Sequence, residues 1–336
     1  MRILIVKLSS LGDVVQATPV VADLLAHFPD ATIDGVAEEA FVPLLGRVQG
    51  LNDVIPIALR RWRRERFGNG NGAERRAMRE RLQTHAYDAV LDVQGLVKSA
   101  LVARLARVTP DGFKATFGNG SESCGWEWPV RFMLDRPVPM DRRIHAVQRY
   151  RQLAARALKY TVPDKPTYAF RTERVAHDQT VLLVHGTTRP DNEWPIAQWV
   201  DLSTRLAGTG LRVALPHADA AEEVRAQAIA QELNAWRPGS AEVWSRMRLP
   251  ELLDNMAGCA GVIGVDTGLS HMAVALDLKH VQIFSHPRAF RAGPLPSEHQ
   301  LSAGGEGPPD VDEVWKAWQR VAAAGVAGAR AAGAAQ

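Results

Sequence analysis

Arg2-Ile3-Leu4-Ile5-Val6-Lys7-Leu8-Ser9-Ser10-Leu11-Gly12-Asp13 begins with an unbroken apolar run rich in β-branched residues and ends in a glycine-bearing polar loop. A run of that kind reads as a short strand buried on both faces, which is the strand type of a parallel sheet covered by helices. The residues after the loop change to helical periodicity over 14–28. The same alternation continues through the first half, with strands expected at 32–36, 54–57 and 89–93 and helices at 39–45 and 74–84. It recurs in the second half, with strands at 181–185, 212–215, 261–265 and 281–284 and helices at 195–206, 220–234, 249–257 and 269–276. Tyr160-Thr161-Val162-Pro163-Asp164-Lys165-Pro166 separates the halves, and each proline disfavours helix in the residue before it. The expected fold class is therefore α/β, with two doubly wound, Rossmann-like domains at 1–160 and 180–310 facing a cleft. A linker at 161–179 joins them. A final helix at 311–324 and a structureless Ala/Gly tail at 325–336 complete the chain.

A chain of 336 residues with 46 % apolar and 23 % charged residues suits two soluble domains. It contains no apolar run of the ~20 residues that span a bilayer. The N-terminus lacks a secretory signal layout, so a cytoplasmic location is expected. The two cysteines, Cys124 and Cys259, have no metal-type spacing and read as reduced thiols. Charge is uneven. Residues 1–170 hold 25 Lys+Arg against 18 Asp+Glu, and residues 171–336 hold 15 against 19. The first half is thus suited to an anionic partner, or simply carries a solvated charged face.

Ligands of doubly wound sheets bind beyond the carboxyl ends of the strands, which directs attention to the loops there. In the first, Asp13 is either a general base for a bound hydroxyl or a helix cap. Asp266-Thr267-Gly268-Leu269-Ser270-His271 opens a helix, and its backbone N–H groups suit a diphosphate. His185-Gly186-Thr187-Thr188-Arg189 offers hydroxyls and amides for phosphate, or an ordinary turn. Glu222 could receive ribose hydroxyls or sit on an exposed helix face. Arg60-Arg61-Trp62-Arg63-Arg64-Glu65-Arg66 packs five arginines into seven residues before the Gly/Asn-rich stretch 68–72. An anionic lipid headgroup or phosphorylated glycolipid fits this patch better than nucleic acid, because total charge is near neutral and no nucleic-acid module is present. No metal is expected: Asp310-Val311-Asp312 has the look of a helix cap, and no His/Cys cluster has ligand spacing.

These residues resemble glycosyltransferase family 9. The resemblance rests on Arg2–Lys7 with 10–14, on 57–63, 87–90 and 94–99, on His145-Ala146-Val147, on Thr187-Thr188-Arg189 with Trp194-Pro195, and on 265–271. It implies a GT-B type, inverting, metal-independent enzyme without a cofactor. Such an enzyme moves L-glycero-D-manno-heptose from ADP-heptose to the inner Kdo of Kdo2-lipid A, as a peripheral protein on the cytoplasmic face of the inner membrane. By the same resemblance Asp13 is the catalytic base. Thr187, Thr188, Asn192, Asp266, Thr267, Gly268 and His271 line the donor site, with Glu222 and Met247 near the nucleoside. Ser10, Gly12, Arg60, Arg61, Arg63, Arg64, Gln94 and Lys98 hold the acceptor. Three departures stand out: Asn192 replaces a family lysine, Trp126 replaces an acceptor-side arginine, and Ser285-His286-Pro287-Arg288-Ala289 replaces a Gly-Pro-Thr-Asp-Pro stretch. Arg189, Arg288 or Arg291 could restore the charge missing at Asn192. The rival expectations are a family 9 heptosyltransferase with another acceptor, such as type II, and a homologue that binds nucleotide sugar but transfers poorly.

Overall fold

A computed structural model describes residues 1–65 and 71–333, and the chain divides into two compact units, Met1–Arg171 and Thr172–Gln336. The first unit holds β1 (Arg2–Val6), β2 (Thr32–Glu38), β3 (Leu51–Ile57), β4 (Tyr87–Asp92), β5 (Val108–Phe117) and β6 (Arg136–Val138) in one sheet of order β3-β2-β1-β4-β5-β6. All pairings are parallel, and Ile5 lies between Gly35 and Leu91 at the centre. The second unit holds β7 (His177–Val184), β8 (Arg212–Leu215), β9 (Ala241–Val243), β10 (Cys259–Val265), β11 (His280–Phe284) and β12 (Gln300–Gly304) in the order β12-β11-β10-β7-β8-β9, again all parallel. Each sheet starts in the middle and winds outward in both directions, the doubly wound order expected from the alternating pattern. Leu4, Val6, Val90 and Tyr87 anchor one core of the first unit, and Val181, Leu183, Ile263 and Val265 that of the second. Trp194 and Trp199 meet edge to face at 4.8 Å in the second core, both fully buried.

Several elements differ from expectation, each for a local reason. The helix expected over 14–28 is two, Leu11–Ala17 and Pro19–His27. Pro19 cannot donate a helical bond, and the Thr18 hydroxyl donates to the Val15 carbonyl at 2.8 Å to close the first. The stretch 161–171, expected as linker, runs back over the first unit: the Gln49 amide bonds the Ala169 carbonyl, Val48 bridges Phe170, and Arg151 donates to the carbonyls of Pro163 and Lys165. Arg151 also forms a buried pair with Asp23 at 2.7 Å. The last helix, Val311–Gly333, continues through residues expected to be a structureless tail, in keeping with the high helix propensity of alanine. Residues 334–336 and residues 66–70, which include Arg66 and the first three residues of the Gly/Asn-rich stretch, lie outside the described residues. Among the described residues, no helix is long and apolar enough to cross a membrane.

Candidate active site

In the first unit, the loop after β1 places Asp13 in the first turn of the helix Leu11–Ala17, with Ser10 as N-cap. Asp13 Oδ2 accepts from the Ser10 amide at 3.3 Å and the Ser10 hydroxyl at 2.9 Å. Its Oδ1 accepts from the Tyr150 hydroxyl at 2.9 Å. Asp13 therefore does cap its helix, and the same bonds fix the carboxylate in one orientation. Lys7 Nζ lies 3.1 Å from the Tyr150 hydroxyl and 4.3 Å from its ring centroid. Gly12 is buried in the same turn.

A second loop, after β4, braces the first. Gln94 Oε1 accepts from the Leu8 and Ser9 amides at 2.7 and 3.3 Å, and Lys98 Nζ reaches the Ser9 hydroxyl at 3.2 Å. Asp92, fully buried at the end of β4, accepts from the amides of Gln94 and Gly95 and from the Thr116 hydroxyl. Burial pushes its carboxyl up, against the downward pull of these bonds. Gly95 takes φ of +76°, and a Cβ there would come within 2.7 Å of Phe117, so the turn requires glycine. At the end of β2, burial raises the carboxyl of Glu38, opposed by the charges of Arg60 and Lys98. Glu38 is thus a second carboxylate at this edge of the sheet.

The arginine segment is a helix, Leu59–Arg64, with Trp62 buried and Arg60, Arg63 and Arg64 exposed. Arg61 has a different role from its neighbours. Its guanidinium pairs with Glu39 at 3.0 Å and Glu74 at 2.9 Å, and Glu74 also accepts from Trp62 Nε1 at 2.7 Å. These bonds hold Arg61 well above the usual arginine range and Glu74 below the usual carboxylate range. Arg61 thus clamps this helix to its neighbour, and the charge facing outward comes from Arg60, Arg63 and Arg64. Trp126, where the family resemblance placed an arginine, donates through Nε1 to the Phe117 carbonyl at 3.1 Å. Nearby, the Arg149 guanidinium lies 3.6 Å over the Phe117 ring.

In the second unit, the loops after β7 and β10 meet. Asp266 Oδ1 accepts from Gln282 Nε2 at 3.0 Å and lies 3.5 Å from His271 Nε2. Thr267 is the N-cap of the helix Gly268–Ala275, and its hydroxyl makes no capping bond. Asn192 is buried, and its Nδ2 donates to the Asp266 carbonyl at 3.3 Å, so its side chain ties the two loops together. The Thr187 hydroxyl accepts from the Arg189 amide at 3.2 Å, and Thr188 is exposed. Arg189 pairs with Asp191 and lies near enough to Asp266 for that charge to favour its ionised form. Glu222 rests on this loop: a Cβ at Gly186 would strike Glu222 Oε1 at 2.4 Å, and Glu222 Oε2 accepts from the Ala218 amide at 2.7 Å. Met247 Sδ accepts from Asn255 Nδ2 at 3.7 Å. His185, at the end of β7, is pushed down to about 4, chiefly by burial and then by Arg225.

The two loop pairs can perform different chemistry. The first presents an oriented carboxylate among cations, suited to accepting a proton from the hydroxyl of an acidic substrate. The second presents a helix N-terminus with hydroxyls beside it, suited to a diphosphate. Sequence reading did not single out Tyr150, Asp92 or Glu38. Tyr150 lies far along the chain, and nothing in its helical neighbourhood marks it. Asp92 and Glu38 end strands, where a carboxylate after an apolar run was a usable signal.

Residues 75–312 match the family model described as glycosyltransferase family 9 (heptosyltransferase). The chain is 36 % identical over 291 residues to lipopolysaccharide heptosyltransferase 1 of Salmonella typhimurium, covering 84 % of this chain and 88 % of that protein. It is 25 % identical over 313 residues to lipopolysaccharide heptosyltransferase 2 of the same organism, covering 84 % and 82 %. Its fold superposes on the E. coli heptosyltransferase WaaC with ADP at a TM-score of 0.80 and 34 % identity, covering 93 % of this chain and 96 % of that one.

Proposed function

The chain belongs to glycosyltransferase family 9, and from that membership we propose that it transfers L-glycero-D-manno-heptose from ADP-heptose to the inner Kdo of Kdo2-lipid A in lipopolysaccharide core synthesis. The observation that carries the reading is the Asp13 carboxylate, held between Ser10 and Tyr150 at the end of β1. Asp13 takes the proton of the Kdo hydroxyl as its oxygen bonds the anomeric carbon of heptose. The bond from that carbon to the diphosphate breaks on the opposite face, so the configuration inverts and ADP departs. Charge gathers on the departing diphosphate, where the helix N-terminus Thr267-Gly268 stabilises it more in the transition state than before. The higher identity to the type 1 relative than to the type 2 relative favours the first Kdo-linked transfer.

The reading is metal-independent. In the one Asp-x-Asp, Asp310 accepts from the Glu313 amide at 2.8 Å and Asp312 pairs with Arg205 at 2.6 Å, so both carboxylates have structural partners. The arginines Arg60, Arg63 and Arg64 grip the acidic acceptor at the cytoplasmic face of the inner membrane. The test is ADP release from ADP-heptose mixed with deacylated Kdo2-lipid A, with and without a chelator. Release that needs this acceptor and survives chelation supports the proposal. Release only with an acceptor that already carries heptose would replace it by a type II activity.

A further inference from the structure

Two aromatic side chains stand in water beside the acceptor loops. Trp128 is 66 % and Phe132 71 % exposed on the 3₁₀ turn Trp128–Phe132, with ring centroids 6.2 Å apart in a T-shaped pair. The turn packs through Val130 against the helix Val97–Leu105, which carries Leu101 at 52 % exposure. Side chains of this size ordinarily find cover. Basic residues flank them, alongside the exposed carboxylates Glu127 and Asp135. The Arg131 guanidinium lies 5.1 Å over the Phe132 ring, and Lys98 and Arg104 are exposed on the same helix as Leu101. Neither Arg104 nor Arg131 makes an ion pair among the described residues.

The position matters as much as the composition. The helix follows β4 and the turn follows β5, so both leave the edge of the sheet at which the Asp13 loop follows β1. One hydrogen bond ties the turn to the helix, where Glu127, next to Trp128, accepts from the Val97 amide at 2.6 Å, and one ties the helix to that loop, where Lys98 reaches Ser9 at 3.2 Å. Aromatic rings with a polar or cationic edge, flanked by basic residues, favour the boundary between headgroups and acyl chains of an anionic bilayer.

We propose that Trp128, Phe132 and Leu101 form a membrane-seating surface that inserts into the headgroup boundary of an anionic bilayer and holds the Asp13 loop beside its lipid-linked acceptor. This rests on the acceptor proposed above. The experiment is co-sedimentation of the full chain with vesicles of phosphatidylethanolamine and phosphatidylglycerol, compared with phosphatidylcholine alone. Wild type should bind the anionic vesicles more strongly. The Trp128→Ser/Phe132→Ser variant should lose about tenfold or more of that affinity, and Trp128→Tyr/Phe132→Tyr should keep most of it. Both residues are exposed, so an unchanged melting temperature should accompany the loss. Turnover on the deacylated acceptor should stay at wild-type level, while turnover on vesicle-embedded acceptor falls with the binding. Vesicle binding that is equal in the Ser variant and wild type overturns the proposal. So does a wild-type dimer that the Ser variant converts to monomer with vesicle binding unchanged, which would make the patch a contact between copies. If no heptose transfer occurs but vesicle binding follows the variants, the function is refuted and the seating surface stands.

Discussion

Asp13→Asn separates the capping bonds of this carboxylate from the catalytic role proposed for it. Asparagine keeps the side-chain shape, and its oxygen can still accept from the Ser10 amide and hydroxyl, now at 3.3 and 2.9 Å. Its amide can face the Tyr150 oxygen, which accepts as well as donates. Fold and cap therefore persist. The stability lost is the charge at the helix N-terminus, about 0.3–1 kcal/mol, a shift of a few degrees at most in the melting temperature. What disappears is the ability to take a proton, which is worth roughly 10²–10⁴ in turnover. Ser10→Ala is the mirror experiment: it removes the 2.9 Å bond and weakens the cap by about 1 kcal/mol, but leaves the carboxylate, and should lower kcat by less than about tenfold. The assay is continuous ADP release at saturating donor, with thermal melts of each variant. Near-normal kcat in a folded Asp13→Asn protein would refute the base assignment and leave Asp13 as a cap.

The arginine helix should divide by role. Arg60→Ala/Arg63→Ala should raise acceptor KM with little change in melting temperature, whereas Arg61→Ala should lower the melting temperature, because it leaves Glu39 and Glu74 without their cation; equal behaviour in the two variants would contradict this split. Stability should fall on acidification. His185 and His280 are both pushed down from 6.5 to about 4, mainly by burial, with Arg225 and His217 acting on the first and His271 on the second. Their neutral forms favour the fold fully above pH 6.5, and that contribution is lost as pH falls toward 4. The loss between pH 7 and 5 is about 2 kcal/mol for each, and urea midpoints of His280→Gln showing the wild-type pH slope would count against it. Asn192→Lys tests the missing family cation: it should raise kcat if the diphosphate lacks a positive neighbour, and should leave kcat unchanged or lower if Arg189, close to Asp266, already serves. Combining it with Arg189→Ala distinguishes the cases: a gain in the single variant marks an unserved site, a gain in the double variant alone shows that Arg189 already serves, and a gain in neither shows that Asn192 marks no missing charge. Gly35→Ala should stabilise the first unit by about 0.5–1 kcal/mol, because the atoms nearest the added Cβ, on Leu51 and Val54, lie at an ordinary 3.6–3.9 Å beside an apolar cavity; a lower melting temperature would show that strand β2 tolerates no added atom there.

The alternation of apolar runs with helical periods was enough, without a fold in hand, to specify two doubly wound sheets, because central strands such as β1 and β10 are buried on both faces and, apart from Arg2 at the start of β1, carry no polar residue. The loops at their carboxyl ends were legible for the same reason: Asp266 follows directly on its run, and Asp13 closes the short loop after β1. The outer strands β5, β6, β9 and β12 escaped, although the edge strand β3 was expected at 54–57. β5 contains Pro110, Asp111 and Gly112, and β6 and β9 are three residues each, so their pairing comes from a neighbouring strand and not from their own pattern. The site divides along the same line. Residue type and place along the chain singled out Asp13, as cap or base, and the helix start at Thr267-Gly268 as a candidate seat for a diphosphate. Only the tertiary structure brought Tyr150 to Asp13 across 137 positions and Asn192 to Asp266 across 74, and only it spent Arg61 on two carboxylates while its neighbours stayed exposed. A hydrogen bond or ion pair depends on angles and ångström distances between distant segments, and local sequence encodes which segments form, not which side chains meet when they pack.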